Sequence, residues 1–244
     1  NIDGNTQYGY GWTQDEDGKW TYSIVTWDVK GDNDVTDRYI QLRDDVTHSS
    51  SDKAGSITIG NTPSGGKIIL DLFGHSVTGN GKDNVVKVDS GNLTLNDSKG
   101  GGTITGGTTG VYLQNGSSFT MEGGTISGNT TGSNGGGVYV GKDSTFNMKD
   151  GEISGNTVKD YMYKDKHYEA DGGGVLVEGG TFNMSGGTIT NNSAIGGNGG
   201  GVAVKDYYDS GKFAGHSTFN MTGGTISNNH ADTGNPNSQN EPIG

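Results

Sequence analysis

The sequence predicts an all-β repeat protein: a parallel β-helix of six to seven coils, each of about 27 residues and three short strands, with a β cap at its N-terminal end. Three observations lead there. A twelve-residue phrase returns four times, short runs of alternating apolar and polar residues recur between Gly, Asn and Asp, and the few apolar residues fall at matching places in each copy. The composition is otherwise that of a disordered chain, with 28% hydrophobic residues, 48 Gly and a formal net charge of -12 among 244 residues. Such a chain folds only if a repeat places nearly every apolar side chain inside.

The repeated phrase is SFTMEGGTISGN ending at Asn129, TFNMKDGEISGN at Asn156, TFNMSGGTITNN at Asn192 and TFNMTGGTISNN at Asn229. Between copies stands a second phrase, GVYL from Gly110, then GGGVYV from Gly135, GGGVLV from Gly172 and GGGVAV from Gly199. Its Val111, Val138, Val175 and Val202 are 27, 37 and 27 residues apart, so a 27-residue unit carries insertions of about ten residues. Each unit holds three runs of type VYV, TFNM and TIS, whose period of two marks half-buried strands, and the intervening Gly, Asn and Asp supply the bends. Strands this short bury their apolar side only by stacking unit on unit.

Stacking predicts inward ladders of Phe119, Phe146, Phe182 and Phe219, of Met121, Met148, Met184 and Met221, of Ile104, Ile126, Ile153, Ile189 and Ile226, and of the four Val residues. A further file, Asn80, Asn129, Asn156, Asn192 and Asn229, is placed at one corner, where Asn tolerates left-handed backbone and its amide reaches the neighbouring coil. Weaker versions of the pattern run upstream: VVKV from Val85 with LTLN from Leu93, then SITI from Ser56 with KIILDL from Lys67, and YIQL from Tyr39 with DVT from Asp45.

The expected domains are an aromatic β cap over residues 1–38, the β-helix over 39–231, and coil or linker over 232–244. The first segment holds Trp12, Trp20 and Trp27, and GWTQDEDGKWTY reads as a hairpin turning at Asp17 and Gly18. Starting at Asn1 without a leader, and ending without a capping strand, the chain reads as a monomeric fragment of a longer protein that lacks its signal and anchor.

The segments KIILDLFGHSVTG, GNLTLNDSKGGGTITGG, TFNMSGGTITNNSA and GGGVYV resemble the right-handed parallel β-helix regions of adhesin-like cell-surface proteins of Gram-positive gut bacteria, over residues 39 to about 230. The resemblance implies an extracellular protein of the bacterial surface whose partner is a glycan, mucin or immunoglobulin of a host or neighbouring cell. The matching motifs are the structural ladders, so no site residue comes with it.

Several chemistries are disfavoured by the residues themselves. An acidic chain with only Arg38 and Arg43 repels nucleic acid and anionic lipid, and no apolar run is long enough to insert into a membrane. The absence of Cys removes disulfides and thiol chemistry. A polysaccharide lyase or glycoside hydrolase of this architecture is the alternative function, but the outward strand positions are mostly Thr, Ser, Asn, Tyr and Lys rather than convergent carboxylates. Glu122 and Glu152 stand alone, Asp44 and Asp45 would face opposite ways on a strand, and His75, His167 and His216 occur singly. A mechanical stalk is the third reading. No cofactor is expected. Structural Ca²⁺ is the one metal considered, with Asp32, Asp34 and Asp37, or Asp15, Glu16 and Asp17, as weak candidate ligands.

The two insertions interrupt the repeat most. They run from Val158 to Asp171, before the VLV strand, and from Lys205 to Ser217, after the VAV strand. They flank the face on which Tyr112, Tyr139, Leu176 and Ala203 are expected to point outward, and they bring Tyr161, Tyr163, Tyr168, Tyr207, Tyr208 and Phe213 to its border. Tyr offers a large contact area at small entropic cost, and loops on a rigid array carry recognition. The predicted ligand site is therefore Tyr112, Tyr139, Tyr161, Tyr163, Tyr168, Tyr207, Tyr208 and Phe213, in a non-catalytic module that binds a surface glycan or protein.

Overall fold

The computed structural model describes residues 12–14, 20–22, 38–48, 56–60, 66–133, 135–164, 166–168 and 170–232. The fold is all-β, with mostly parallel sheets and no helix among the described residues, in keeping with a parallel β-helix. Each pass of the chain adds one strand to each of several sheets.

The Phe-Met sheet has seven parallel strands, from Arg38–Gln41, Ile68–Asp71 and Asn92–Asn96 through Ser118–Met121, Thr145–Met148 and Thr181–Met184 to Thr218–Met221. The Ile sheet, also of seven, runs from Val46–Thr47 to Thr225–Ser227, and the Val sheet of six runs from Ile57–Ile59 to Val202–Lys205. Register pairs like with like: Phe119 with Phe146, Phe182 and Phe219 in succession, and likewise Met121 with Met148, Met184 and Met221. Val111, Val138, Val175 and Val202 are aligned, as are Ile104, Ile126, Ile153, Ile189 and Ile226. The Phe rings stack at 4.9, 4.7 and 4.8 Å with interplanar angles of 10°, 5° and 14°. Most of the ladder residues are fully buried and belong to one core. At the last pass, where no described strand stacks further, Val204 and Met221 are exposed.

A fourth parallel sheet departs from the three-strand expectation: Thr130–Thr131, Thr157–Lys159, Ser193–Ile195 and His230–Asp232. It aligns Thr131, Val158, Ala194 and Ala231, and Val158 packs with Ala170 and Ala194 in a small second core. Val158 and Ala170 are thus part of the folded body, although they were assigned to an insertion.

The Asn file is present from Asn129 onward. Asn129, Asn156 and Asn192 are fully buried, and each side-chain amide donates to the Oδ1 of the next, at 2.9 Å from Asn129 to Asn156, 2.9 Å from Asn156 to Asn192 and 3.0 Å from Asn192 to Asn229. The same Oδ1 atoms accept the backbone N–H of the preceding Asn. Asn80 does not belong: its Oδ1 caps the N–H groups of Lys82 and Asp83 in its own turn, and the acceptor of Asn129 takes Gly107 N–H instead. Left-handed backbone is also one residue earlier than expected, at Gly128, Gly155, Asn191 and Asn228, with φ of 65°, 61°, 55° and 55°. The ladder Asn is selected for its amide, and the residue before it for its φ.

The first passes are clipped by Asp71, a fully buried carboxylate. It accepts from the Tyr39 hydroxyl and Gln41 of the preceding strand and from the backbone N–H and hydroxyl of Ser98 in the following pass. Burial alone would raise its pKa, but these donors outweigh it and hold the carboxyl far below its ordinary value. Asp44 and Asp45 lie in a bend rather than on a strand, where Asp44 accepts the Asp45 N–H and Asp45 the Ser76 N–H. At the N-terminal side the expected hairpin pairing exists, Trp12–Gln14 antiparallel to Trp20–Tyr22. Trp27, the turn at Asp17 and Gly18, and residues 233–244 are outside the described residues.

Candidate recognition site

The outward row of the Val sheet runs Thr58, Lys87, Tyr112, Tyr139, Leu176, Ala203 by register. Tyr112 and Tyr139 obey the same stacking as the core Phe rings, with centroids 4.6 Å apart and planes within 9°. The Tyr139 hydroxyl donates to Glu178 Oε2 at 2.8 Å. Burial first, then the negative charge of Glu178, pushes the Tyr139 phenol far above its ordinary value; burial, Glu178 and Asp89 raise Tyr112. Both phenols therefore remain neutral hydrogen-bond donors at physiological pH. Asp89 is fixed beside them by Asn115 Nδ2 at 2.7 Å and Gln114 Nε2 at 2.8 Å, and despite partial burial these donors hold its carboxyl below the usual range.

Leu176 and Ala203 are not displayed. Both are buried, Leu176 completely, so the outer face is open at Tyr112 and Tyr139 and closed over the two later passes.

Both insertions fold as antiparallel β-hairpins. The first pairs Tyr161–Tyr163 with Lys166–Tyr168, and Tyr161 stands opposite Tyr168; the side chains of Tyr161, Tyr163 and Tyr168 lie outside the described residues. The second pairs Tyr207–Asp209 with Lys212–Gly215 across a tight turn in which Ser210 and Gly211 have φ of 48° and 79°, as a two-residue hairpin turn with positive φ at both positions demands. A register shift between Tyr207 and Tyr208 separates their roles. Tyr207 is partly buried against Gly179, where an added Cβ would come within 2.7 Å of the Tyr207 Cβ, and the Lys142 ammonium sits 5.8 Å from its ring centroid. Tyr208 and Phe213 are 58% and 51% exposed and meet edge to face at 6.0 Å. Phe213 also lies 4.6 Å from the His216 ring, whose Nδ1 is 3.1 Å from Asp206 Oδ1.

The eight predicted residues thus separate into an inner group, Tyr112, Tyr139 and Tyr207, and an outer pair, Tyr208 and Phe213, with the three Tyr of the first hairpin placed by backbone alone. Sequence reasoning missed what joins the insertions. Asp171, 2% exposed, ends the first insertion, and its Oδ2 takes a 2.7 Å hydrogen bond from Lys205 Nζ at the start of the second. Asn198 donates to the other oxygen through its backbone N–H at 2.7 Å and its side chain at 3.1 Å. Burial opposes ionisation, but Lys205 and Asn198 prevail and lower the Asp171 pKa. Across the base of the second hairpin, Ser217 Oγ donates to the Lys205 carbonyl and accepts the Gly179 N–H at 2.6 Å. The available signal was that charged residues stood at both insertion boundaries.

Other chemistry-bearing candidates have partners within the fold. Glu122 pairs with Lys149 on the next pass at 3.0 Å, and His75 stands 3.6 Å from Asp45. Among the described residues, no three His, Asp or Glu side chains gather where they could share a metal ion. Asp32, Asp34 and Asp37, together with Asp15, Glu16, Asp17 and the side chain of His167, lie outside the described residues.

Fold and site together define a repeat-built, mostly parallel all-β protein that carries two aromatic hairpins beside one sheet. Comparison of the chain with known protein families, with curated proteins and with solved structures found no significant match.

Proposed function

We propose that residues 39–231 form a right-handed parallel β-helix, capped by residues 1–38, and act as a non-catalytic recognition module on the outside of a Gram-positive bacterium. Its ligand is a glycan, mucin or immunoglobulin of a host or neighbouring cell. The observation that carries this reading is the second hairpin: Tyr208 and Phe213 are held in solvent on a base tied to the body by Ser217 and by the ion pair of Lys205 with the buried Asp171. Exposed aromatic residues on a rigid support are costly unless they meet a partner.

The test removes both hairpins and keeps their bases. Aligning the passes shows that residues 160–169 are replaceable by a single Gly, to match the spacing from Asn192 to Val202, and residues 206–216 by a two-residue link, to match the spacing from Val140 to Thr145. Val158, Ala170, Asp171, Lys205 and Ser217 stay. In an array of glycans, mucins and immunoglobulins, binding falls about tenfold or more in this variant, while its melting temperature is retained. Unchanged affinity overturns the reading. So does turnover of a pectin, alginate, glucan or mucin glycan that vanishes on substitution of one carboxylate.

A further inference from the structure

The stacking geometry bears on what the site takes. In the row Lys87, Tyr112, Tyr139, Leu176, each Tyr ring has the other on one side, and the remaining side of Tyr139 is the buried Leu176 position. The Tyr139 hydroxyl is committed to Glu178, and the electron-rich π faces of these two rings are largely used within the stack. Tyr208 and Phe213 are not stacked in this way. They meet edge to face, and more than half of each remains accessible.

Beside them stands one oriented acceptor. Asp206 Oδ1 is engaged by His216 at 3.1 Å, and His216 packs on Phe213, so carboxylate, imidazole and two aromatic rings are contiguous on one hairpin. A carboxylate accepts through both oxygens, which leaves Asp206 with capacity for a hydroxyl donor. A pyranose meets both demands: its axial C–H groups suit an aromatic face, and its rim hydroxyls suit a carboxylate. Lys212 stands opposite Asp209 and offsets it, so Asp206 at the proposed contact, with the net charge of -12 behind it, is what opposes uronates, sialic acids and sulfated sugars.

Resting on the recognition reading above, we propose that the second hairpin carries a subsite for an uncharged pyranose, which packs on Tyr208 and Phe213 and donates a hydroxyl hydrogen bond to Asp206. Tyr207, packed at Gly179 with the Lys142 ammonium over its ring, seats the first strand of this hairpin on the body. The site is open rather than enclosed, so a single sugar binds at about millimolar strength, and useful avidity comes from several copies on one surface.

The experiment follows the aromatic proton signals of the 244-residue chain by NMR during titration with the methyl β-glycosides of galactose, glucose and N-acetylglucosamine, with glucuronate and sialic acid as anionic arms. At least one uncharged glycoside should shift the Tyr208 and Phe213 ring signals, and the anionic sugars should not. Phe213→Ala and Asp206→Asn should each weaken that binding by about tenfold, with thermal melting unchanged because both side chains are exposed. Thr181→Ala, on the outer side of the Phe-Met sheet and outside the site, should leave it unaltered. The subsite is refuted if no uncharged glycoside perturbs these rings at about 50 mM, well above the affinity expected of an open site, if anionic sugars bind equally well, or if Phe213→Ala has no effect. Failure here is separable from failure of the recognition reading. If immunoglobulin binding is lost with the hairpins while every glycoside is silent, the surface recognises protein and only the sugar subsite falls; if hairpin removal changes nothing, both fall.

Discussion

Two Asn ladders run along the same stack, one inside and one outside, and they allow a controlled measurement of what a buried amide contributes. Inside, Asn156 is fully buried: its Oδ1 accepts Asn129 N–H at 3.2 Å and Asn129 Nδ2 at 2.9 Å, and its Nδ2 donates to Ile126 O and Asn192 Oδ1, both at 2.9 Å. Outside, Asn183 donates to Asn147 Oδ1 and accepts from Asn220 Nδ2, each at 2.9 Å, on the solvent side of the Phe-Met sheet. Removing the Asn156 amide by Asn156→Ala leaves the Asn129 N–H and the Ile126 carbonyl without those partners in a place water does not reach. At about 1–3 kcal/mol for each orphaned buried group, the expected loss is about 3 kcal/mol, and Asn129 Nδ2 is spared the full penalty because it retains Ile104 O and Ser127 O. Asn183→Ala exposes its former partners to water and should cost less than about 1 kcal/mol. For a chain of this size the inner change lowers the melting temperature by about 6–12 °C and the outer by at most a few degrees. Urea unfolding followed by circular dichroism, with hydrogen exchange of the Asn129 amide, measures both; exchange guards against loss of two-state behaviour, to which repeat arrays are prone. Equal costs for the two substitutions would refute the argument, because the inner amide is buried and also serves backbone groups, whereas the outer one bonds only its solvent-side neighbours.

Phe182→Asp places an unpaired carboxylate between Phe146 and Phe219 and should unfold several passes, whereas Thr181→Ala on the outer side should change stability by less than about 1 kcal/mol; equal melting temperatures would overturn the inward and outward assignment. Asp71 and Asp171 both have folded pKa values below the ordinary 3.8, so each contributes stability that is fully present above that value and is lost as pH falls through the lower folded value. Melting temperature should therefore be flat from about pH 7 to 5 and drop below about pH 4, with a shallower drop in Asp171→Asn; a loss centred between about pH 6 and 8 would contradict this.

The ladders were legible because strand period and pass length repeat together, so the residue that is inward in one copy is inward in the next. Phe119, Met121, Ile126 and Val138 each find their successors in register without any knowledge of the tertiary structure. The fourth sheet was not legible for the converse reason. Its inward file is Thr131, Val158, Ala194, Ala231, with no residue type repeated until the last two, and at Val158 it adjoins an irregular stretch. Asn80 was misplaced because a Gly-Asn pair at a turn suits either a ladder amide or a local cap, and only the neighbouring pass decides. The burial of Leu176 and the Asp171–Lys205 pair depend on how elements distant in sequence meet: the pair spans 34 residues, with Asp171 ahead of the strand Val175–Glu178 and Lys205 at the end of the following one, Val202–Lys205.

Where the chain accepts insertions follows from where successive passes touch most closely. Between the Ile sheet and the fourth sheet the corner admits none: Ile126 to Thr130, Ile153 to Thr157, Ile189 to Ser193 and Ile226 to His230 are all four residues apart. The Asn ladder fixes that length, since a longer corner would move an amide from both of its acceptors. The GGGV phrase is fixed by the same contact from the other side. A Cβ at Gly174 would lie 2.5 Å from the Gly201 carbonyl and 3.0 Å from Asn192 Nδ2, so Gly at this place lets the backbones and the amide ladder approach. Between the Phe-Met and Ile sheets the length is constant too, with Phe119 to Ile126, Phe146 to Ile153, Phe182 to Ile189 and Phe219 to Ile226 each seven apart. Over these passes, only the two links that border the Val sheet vary in length, and both hairpins emerge there. Length variation over these passes is thereby confined to one face of the stack, where it leaves undisturbed the register that holds the fold.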